Sequence, residues 1–217
     1  MSTVRIRYQT IEFDKTDIHV RTLRDRQQFS DKNDIAKNLG ISSATWPIFG
    51  VVWPSSIVLA HFMLDYDFSN KRILEIGCGI GLVSLLLNSK HADISATDIH
   101  PEAESFLSEN TSLNHGKIIP FKRANWSDIE TELGVFDLII GSDLLYEKDN
   151  INFLAEFINH HTIKDSQVII VDPGRGNHAA FSKRMVTLGY THDQEKTGDT
   201  SFLDKPYNGQ ILQYKCL

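Results

Sequence analysis

At 217 residues the chain is long enough for one well-buried α/β core and short for two, and its 41% hydrophobic and 23% charged residues are those of an ordinary globular protein. A formal net charge of −6 argues against a protein that lives on phosphate backbones, and so against nucleic acid as the partner. No apolar run approaches the ~20 residues that span a bilayer, and Met1 to Arg7 lack the apolar core of a signal peptide, so a cytoplasmic protein without membrane contact is expected.

Residues 4–13 and 18–23 alternate apolar and polar side chains and predict an N-terminal β-hairpin with Asp14 to Asp17 as its turn. The polar stretch 24–45 carries one short helical pattern, over 34–39, which Gly40 ends. An aromatic, proline-rich segment from Trp46 to Pro54 then leads into an apolar helix over 55–64. From there strands near 72–76, 93–97, 117–122, 136–141 and 167–171 alternate with helices near 81–89, 101–114, 151–160 and 177–188, the pattern of a Rossmann-like, doubly wound sheet. Residues 190–197 and 210–216 have no helix of normal length between them and predict an antiparallel pair at one edge, which completes seven strands. The organisation expected is an extension of hairpin and linker over 1–50 and one α/β domain over 51–217.

The chemistry concentrates at Ile73-Leu-Glu-Ile-Gly-Cys-Gly-Ile-Gly81. Ile73, Leu74 and Ile76 form the unbroken apolar run of a strand covered on both faces, and Leu82 to Leu87 begin a helix. Gly77 and Gly79 at the junction leave no Cβ between a ligand and the backbone N–H groups of a helix N-terminus. A dinucleotide fingerprint would place its third small residue where this chain has Leu82; here the third glycine, Gly81, comes one residue early. Asp98 ends the next predicted strand, where open α/β sheets bind ligands; a carboxylate there accepts two ribose hydroxyls, or caps the helix that follows Pro101.

Glu75-x-Gly77-x-Gly79-x-Gly81 resembles motif I of the class I, seven-β-strand, S-adenosylmethionine-dependent methyltransferases. A carboxylate beside the turn suits a cofactor whose methionine end carries an ammonium and a sulfonium. The resemblance implies that Glu75, Gly77, Gly79 and Gly81 shape the methionine end of the site and that Asp98 binds ribose. Beyond the fourth strand of the sheet stand Asp143-Leu144-Leu145-Tyr146. Nucleobase amino-methyltransferases carry two prolines at the middle positions, whereas Asp-x-x-Tyr resembles the protein-lysine methyltransferases, and the likeness assigns Asp143 and Tyr146 to orienting the acceptor amine. Trp53 before the apolar helix and Asn125-Trp126 after the third strand match places where that group borders the cofactor, Trp126 and Asn125 on the adenine side. Asp172-Pro-Gly-Arg175 resembles the branch acting on electron-transfer flavoprotein, or is a plain turn.

The function expected is N-methylation of a lysine in a protein substrate with S-adenosyl-L-methionine as cofactor. A small-amine methyltransferase and a noncatalytic cofactor-binding subunit are the alternatives. Cys78 and Cys216 give neither a disulfide framework nor zinc spacing, and nine scattered histidines, His160-His161 among them, read as surface residues rather than metal ligands.

Overall fold

The computed structural model describes residues 4–26, 28, 29, 34–42, 46–128 and 131–217. Strands β1 (Ile6–Phe13) and β2 (Thr16–Leu23) pair antiparallel with Phe13 opposite Thr16, so the turn is only Asp14-Lys15, tighter than the four residues expected. Asp14 makes this possible at φ 47°, a left-handed conformation that Asp tolerates better than most residues. Phe13, Ile18, Val20 and Leu23 sink into the main core, and Asn110 and Asn114 hold the hairpin from outside by accepting from the N–H groups of Arg21 and His19.

Helix α1 is a single turn (Ile35–Asn38), and α2 (Pro54–Leu64) begins with proline in its first turn, where the missing N–H costs nothing. The main sheet contains β3 (Arg72–Ile76), β4 (Asp93–Asp98), β5 (Phe121–Arg123), β6 (Phe136–Ser142), β7 (Thr162–Asp172), β8 (Tyr190–Lys196) and β9 (Gln210–Cys216) in the order β5-β4-β3-β6-β7-β9-β8. The first five run parallel, and β9 lies antiparallel between β7 and β8. Helices α3 (Leu82–Ser89), α4 (Ala103–Leu113), α5 (Ile151–His160) and α6 (His178–Thr187) complete the α/β arrangement.

Strand alternation divides the core between two layers. Ile73, Leu138, Ile140 and Ile169 face the layer holding α2, α3 and the hairpin, while Leu74, Ile139, Val168 and Ile170 face α5 and α6. Every one of these eight side chains is at most 1% exposed, which explains why the strands read as continuous apolar runs. The chain turns from β5-β4-β3 on one side to β6-β7 on the other, so the crevice between the C-terminal ends of β3 and β6 is open to a ligand.

Three local expectations need correction. The strand predicted over 117–122 begins at Phe121, and Ile118 stands 91% exposed. Strand β7 begins at Thr162 rather than near 167, because Lys164, Asp165 and Ser166 carry no apolar alternation, although the backbone pairs with β6 through a register shift. Two histidines are core residues: His161 donates through Nδ1 to the Gly134 carbonyl and accepts at Nε2 from the Thr131 hydroxyl, and His100 is buried among aromatic rings. No helix among the described residues is long and apolar enough to cross a membrane.

Candidate active site

The glycine turn between β3 and α3 holds three glycines in left-handed geometry, at φ 59°, 57° and 83° for Gly77, Gly79 and Gly81. Their surroundings differ. A Cβ on Gly77 would strike Leu144, and one on Gly81 would strike Leu107, so both are fixed by packing. A Cβ on Gly79 would meet nothing within 4 Å and would project into a cavity of about 450 Å³. Gly81 also serves as the N-cap of α3, and the Cys78 N–H donates to the Thr97 carbonyl, which fastens the turn to β4.

Glu75 does not line this cavity. Its Oε2 accepts from both the N–H and the Oγ of Ser84, satisfying one of the unpaired N–H groups in the first turn of α3. With the side chain 2% exposed, burial pushes its carboxyl up to about 7 against the pull of those hydrogen bonds. The residue therefore braces the turn from behind, and Gly81 likewise stands outside the cavity lining.

Asp98, at the end of β4, lies directly across the turn. Its Oδ2 accepts from the Gly79 N–H at 2.8 Å and its Oδ1 from the His100 N–H at 2.8 Å. Each oxygen keeps a further lone pair, so the carboxylate serves the turn and has capacity for two more donors. Desolvation raises its carboxyl above the ordinary range, opposed by the backbone donors. Gly77, Asn125, Trp126 and Trp53 also border the cavity. Trp53 precedes α2 and carries the Arg26 guanidinium 5.1 Å from its ring centre. The Asn125 amide is already engaged, its oxygen accepting from the Ser127 N–H at 3.3 Å and its nitrogen donating to the Leu39 carbonyl.

Asp143 and Tyr146 reach the same cavity from the end of β6. Asp143 adopts φ 56°, and its N–H donates to the Val171 carbonyl, so the chain bends out of the sheet immediately after Ser142. Burial and then the charges of Asp98, Glu147 and Asp143 push the Tyr146 phenol well up, which leaves it a hydrogen-bond donor at neutral pH. Asp143 is not a free carboxylate. Arg175 donates to it through Nε at 2.6 Å and through Nη2 at 2.9 Å, a bidentate pair.

Two cavity residues have no site role assigned to them by the sequence. Leu144 fills the space beneath Gly77, and its signal was its place between Asp143 and Tyr146. His100 stacks on Phe49 with ring centres 3.9 Å apart and planes 4° from parallel. Its Nδ1 accepts from the Glu102 N–H, so Nε2 carries the proton, and burial lowers its pKa to about 3, keeping the ring neutral. Arg175 stands in the sequence within Asp172-Pro-Gly-Arg175, read as a family resemblance or a plain turn, with no site role of its own; its position after β7, at the same sheet edge as Asp143, was the available signal.

The family model described as lysine methyltransferase matches residues 35–186. The electron transfer flavoprotein beta subunit lysine methyltransferase of Mus musculus is 30% identical over 142 residues, which are 64% of this chain and 55% of that protein. Protein N-lysine methyltransferase METTL21A of Danio rerio is 29% identical over 143 residues, 62% of this chain and 62% of the relative. This chain thus spans between half and two thirds of the length of these curated relatives. Among solved structures, a methyltransferase from Pyrococcus furiosus superposes with a TM-score of 0.60 at 19% identity, covering 75% of this chain and 83% of its own. Magnesium protoporphyrin IX methyltransferase from Synechocystis, solved with bound S-adenosylmethionine, gives 0.58 at 20% identity over 76% of this chain and 78% of its own. These two likenesses establish the seven-strand methyltransferase fold, and the family match, which covers well over half of the residues, shows that this chain belongs to the lysine methyltransferase family.

Proposed function

We propose that this protein transfers a methyl group from S-adenosylmethionine to the ε-amino nitrogen of a lysine in another protein. One observation carries the reading: a single cavity joins the open face of Gly79 and the Asp98 carboxylate, which suit the cofactor, to Asp143 and Tyr146, which suit an amine. Membership of the lysine methyltransferase family supports it. Bound S-adenosylmethionine supplies a methyl carbon already activated by its sulfonium. The chain's own residues then bind and orient.

Gly77 and Gly79 keep the backbone of the turn accessible, while Asp98 offers its remaining lone pairs to the ribose hydroxyls. Trp53, Asn125 and Trp126 border the cofactor, and Glu75 acts at one remove by holding α3 against the turn. Asp143 and the Tyr146 phenol align the amine nitrogen for in-line attack, where effective positioning is worth several powers of ten in rate. The attacking nitrogen must be neutral, and an unperturbed lysine, with pKa about 10.4, is mostly charged at neutral pH. Desolvation and the nearby positive charge of the cofactor both favour its neutral form.

A protein acceptor is favoured over a small amine by the cavity mouth, where Phe153 is 51% exposed and the Arg175 side chain 43%. The mouse relative's name makes the beta subunit of electron-transfer flavoprotein the first acceptor to try. The two unpaired cysteines support a reducing, cytoplasmic setting. Incubation with labelled S-adenosylmethionine and a cell lysate, with and without that beta subunit, tests the proposal. Label on lysine of a protein is expected; label confined to RNA or to small metabolites overturns it.

A further inference from the structure

We infer that Arg175 is a positioning residue that neutralises Asp143, so that the carboxylate can align the acceptor amine without holding it in its protonated form. This rests on the lysine-methylating reading above. A bare carboxylate at hydrogen-bond distance favours the charged ammonium and so opposes the deprotonation that attack requires. A guanidinium on the same carboxylate removes most of that penalty. It leaves lone pairs free, because the fork takes one from each oxygen.

The pair is built into the site. Its Asp143 side chain is 13% exposed, and the loop that presents Arg175 is anchored on both sides. The Gly174 N–H donates to Asp172 Oδ2 at 2.9 Å, and Asn177 Nδ2 donates to the Leu145 carbonyl at 2.9 Å, which clips the segment after β7 to the segment after β6. Gly174 and Gly176 flank the arginine at φ 89° and 86°, a course most side chains would resist, and this turns its guanidinium back toward Asp143.

The other charged and titratable groups facing this place, among the described residues, come from five elements. Tyr146 and Glu147 follow β6, Asp172 and His178 lie at the end of β7 and the start of α6, Tyr207 precedes β9, and Asp98 ends β4. Burial pushes Asp172 upward, toward its neutral form. Arg175 interacts with Asp143, Asp172 and Tyr146, so its removal leaves the Asp143 and Asp172 carboxylates without that positive charge beside the acceptor.

In the step itself, the lone pair of the neutral amine forms the new N–C bond as the C–S bond breaks, S-adenosylhomocysteine leaves with the electron pair, and the methylated ammonium later releases its proton to solvent. The pKa of the bound amine therefore appears as the acidic limb of the transfer rate.

Single-turnover rates, at saturating enzyme and S-adenosylmethionine, should be measured from pH 6 to 10 for the wild type, Arg175→Gln and Arg175→Lys. The acceptor is the electron-transfer flavoprotein beta subunit or, if that is not methylated, the principal protein labelled in the lysate. Arg175→Gln is expected to move the acidic limb up by about one pH unit, with roughly tenfold slower transfer on the rising limb and recovery toward the wild-type plateau at high pH. Arg175→Lys, which keeps the charge, is expected to stay near the wild-type limb. An unmoved limb in Arg175→Gln, a loss of equal factor at every pH, or a shift in Arg175→Lys as large as in Arg175→Gln overturns the inference. Absence of transfer by the wild type at every pH overturns the lysine reading itself, and this inference with it.

Discussion

Replacing Glu75 with Gln gives the sharpest test of how the glycine turn is held. The carboxylate is 2% exposed, and its Oε2 accepts from the Ser84 N–H at 2.8 Å as well as from the Ser84 hydroxyl. Its pKa stands at about 7 in the folded protein against 4.5 for an ordinary glutamate, with burial as the largest cause. A raised folded-state pKa means that stability is fully present below the unfolded value and falls as pH rises toward the folded one. The displacement between these two values corresponds to about 3 kcal/mol at 1.36 kcal/mol per unit. Glutamine keeps an oxygen for the Ser84 N–H and carries no charge, so it escapes that loss. His100, whose pKa is depressed to about 3, acts oppositely, losing stability as pH falls below its ordinary 6.5. The diagnostic quantity is thus the difference between variant and wild type, in which His100 cancels. Urea unfolding at a series of pH values is expected to show the Glu75→Gln advantage growing by about 3 kcal/mol between pH 4.5 and 8. A difference that stays constant across that range would refute the account of Glu75 as a buried brace.

Three further outcomes concern the cavity. Asp98→Ala is expected to weaken S-adenosylhomocysteine binding by about 3 kcal/mol, on the order of a hundredfold by calorimetry, because it would remove the two ribose contacts proposed for this carboxylate and free the N–H groups of Gly79 and His100; Gly79→Arg should abolish binding by filling the open face of the turn. With Trp46 and Trp126 changed to Phe, the remaining Trp53 fluorescence is expected to shift with saturating S-adenosylhomocysteine, and a flat titration in the folded variant would place its ring away from the ligand. Asp143→Asn should lower turnover by at least ~10²-fold while changing cofactor affinity far less, and Tyr146→Phe separates the phenol's hydroxyl from its ring; full turnover in both would move the acceptor site elsewhere.

The fold was legible because its strands are buried on both faces. Runs such as Ile73-Leu74 and Leu138-Ile139-Ile140 announce themselves by composition, and the glycines between β3 and α3 mark the turn where the sheet changes direction. Polar strand residues were harder to see, as the first half of β7 shows, since backbone pairing leaves no mark on side-chain pattern there. In the site, Gly79 and Asp98 could be located by spacing, but the orientation of Glu75 could not: a carboxylate two residues before the turn is equally placed to face a ligand or the helix behind it. The Asp143–Arg175 pair joins residues 32 positions apart and depends on how two loops meet, which no local pattern reports. His100 was hidden for a different reason, because burial among Phe29, Trp46 and Phe49 is a tertiary property that its sequence neighbours do not encode.

The most direct test of the central claim is chemical identification of the product. The protein labelled from S-adenosylmethionine should be purified, hydrolysed completely to amino acids and analysed by mass spectrometry, with Asp98→Ala protein as the control. The account predicts that the transferred methyl is recovered as N-methylated lysine and that the control yields far less. Recovery of the methyl on arginine, histidine or a carboxyl group, or on no amino acid at all, would contradict it.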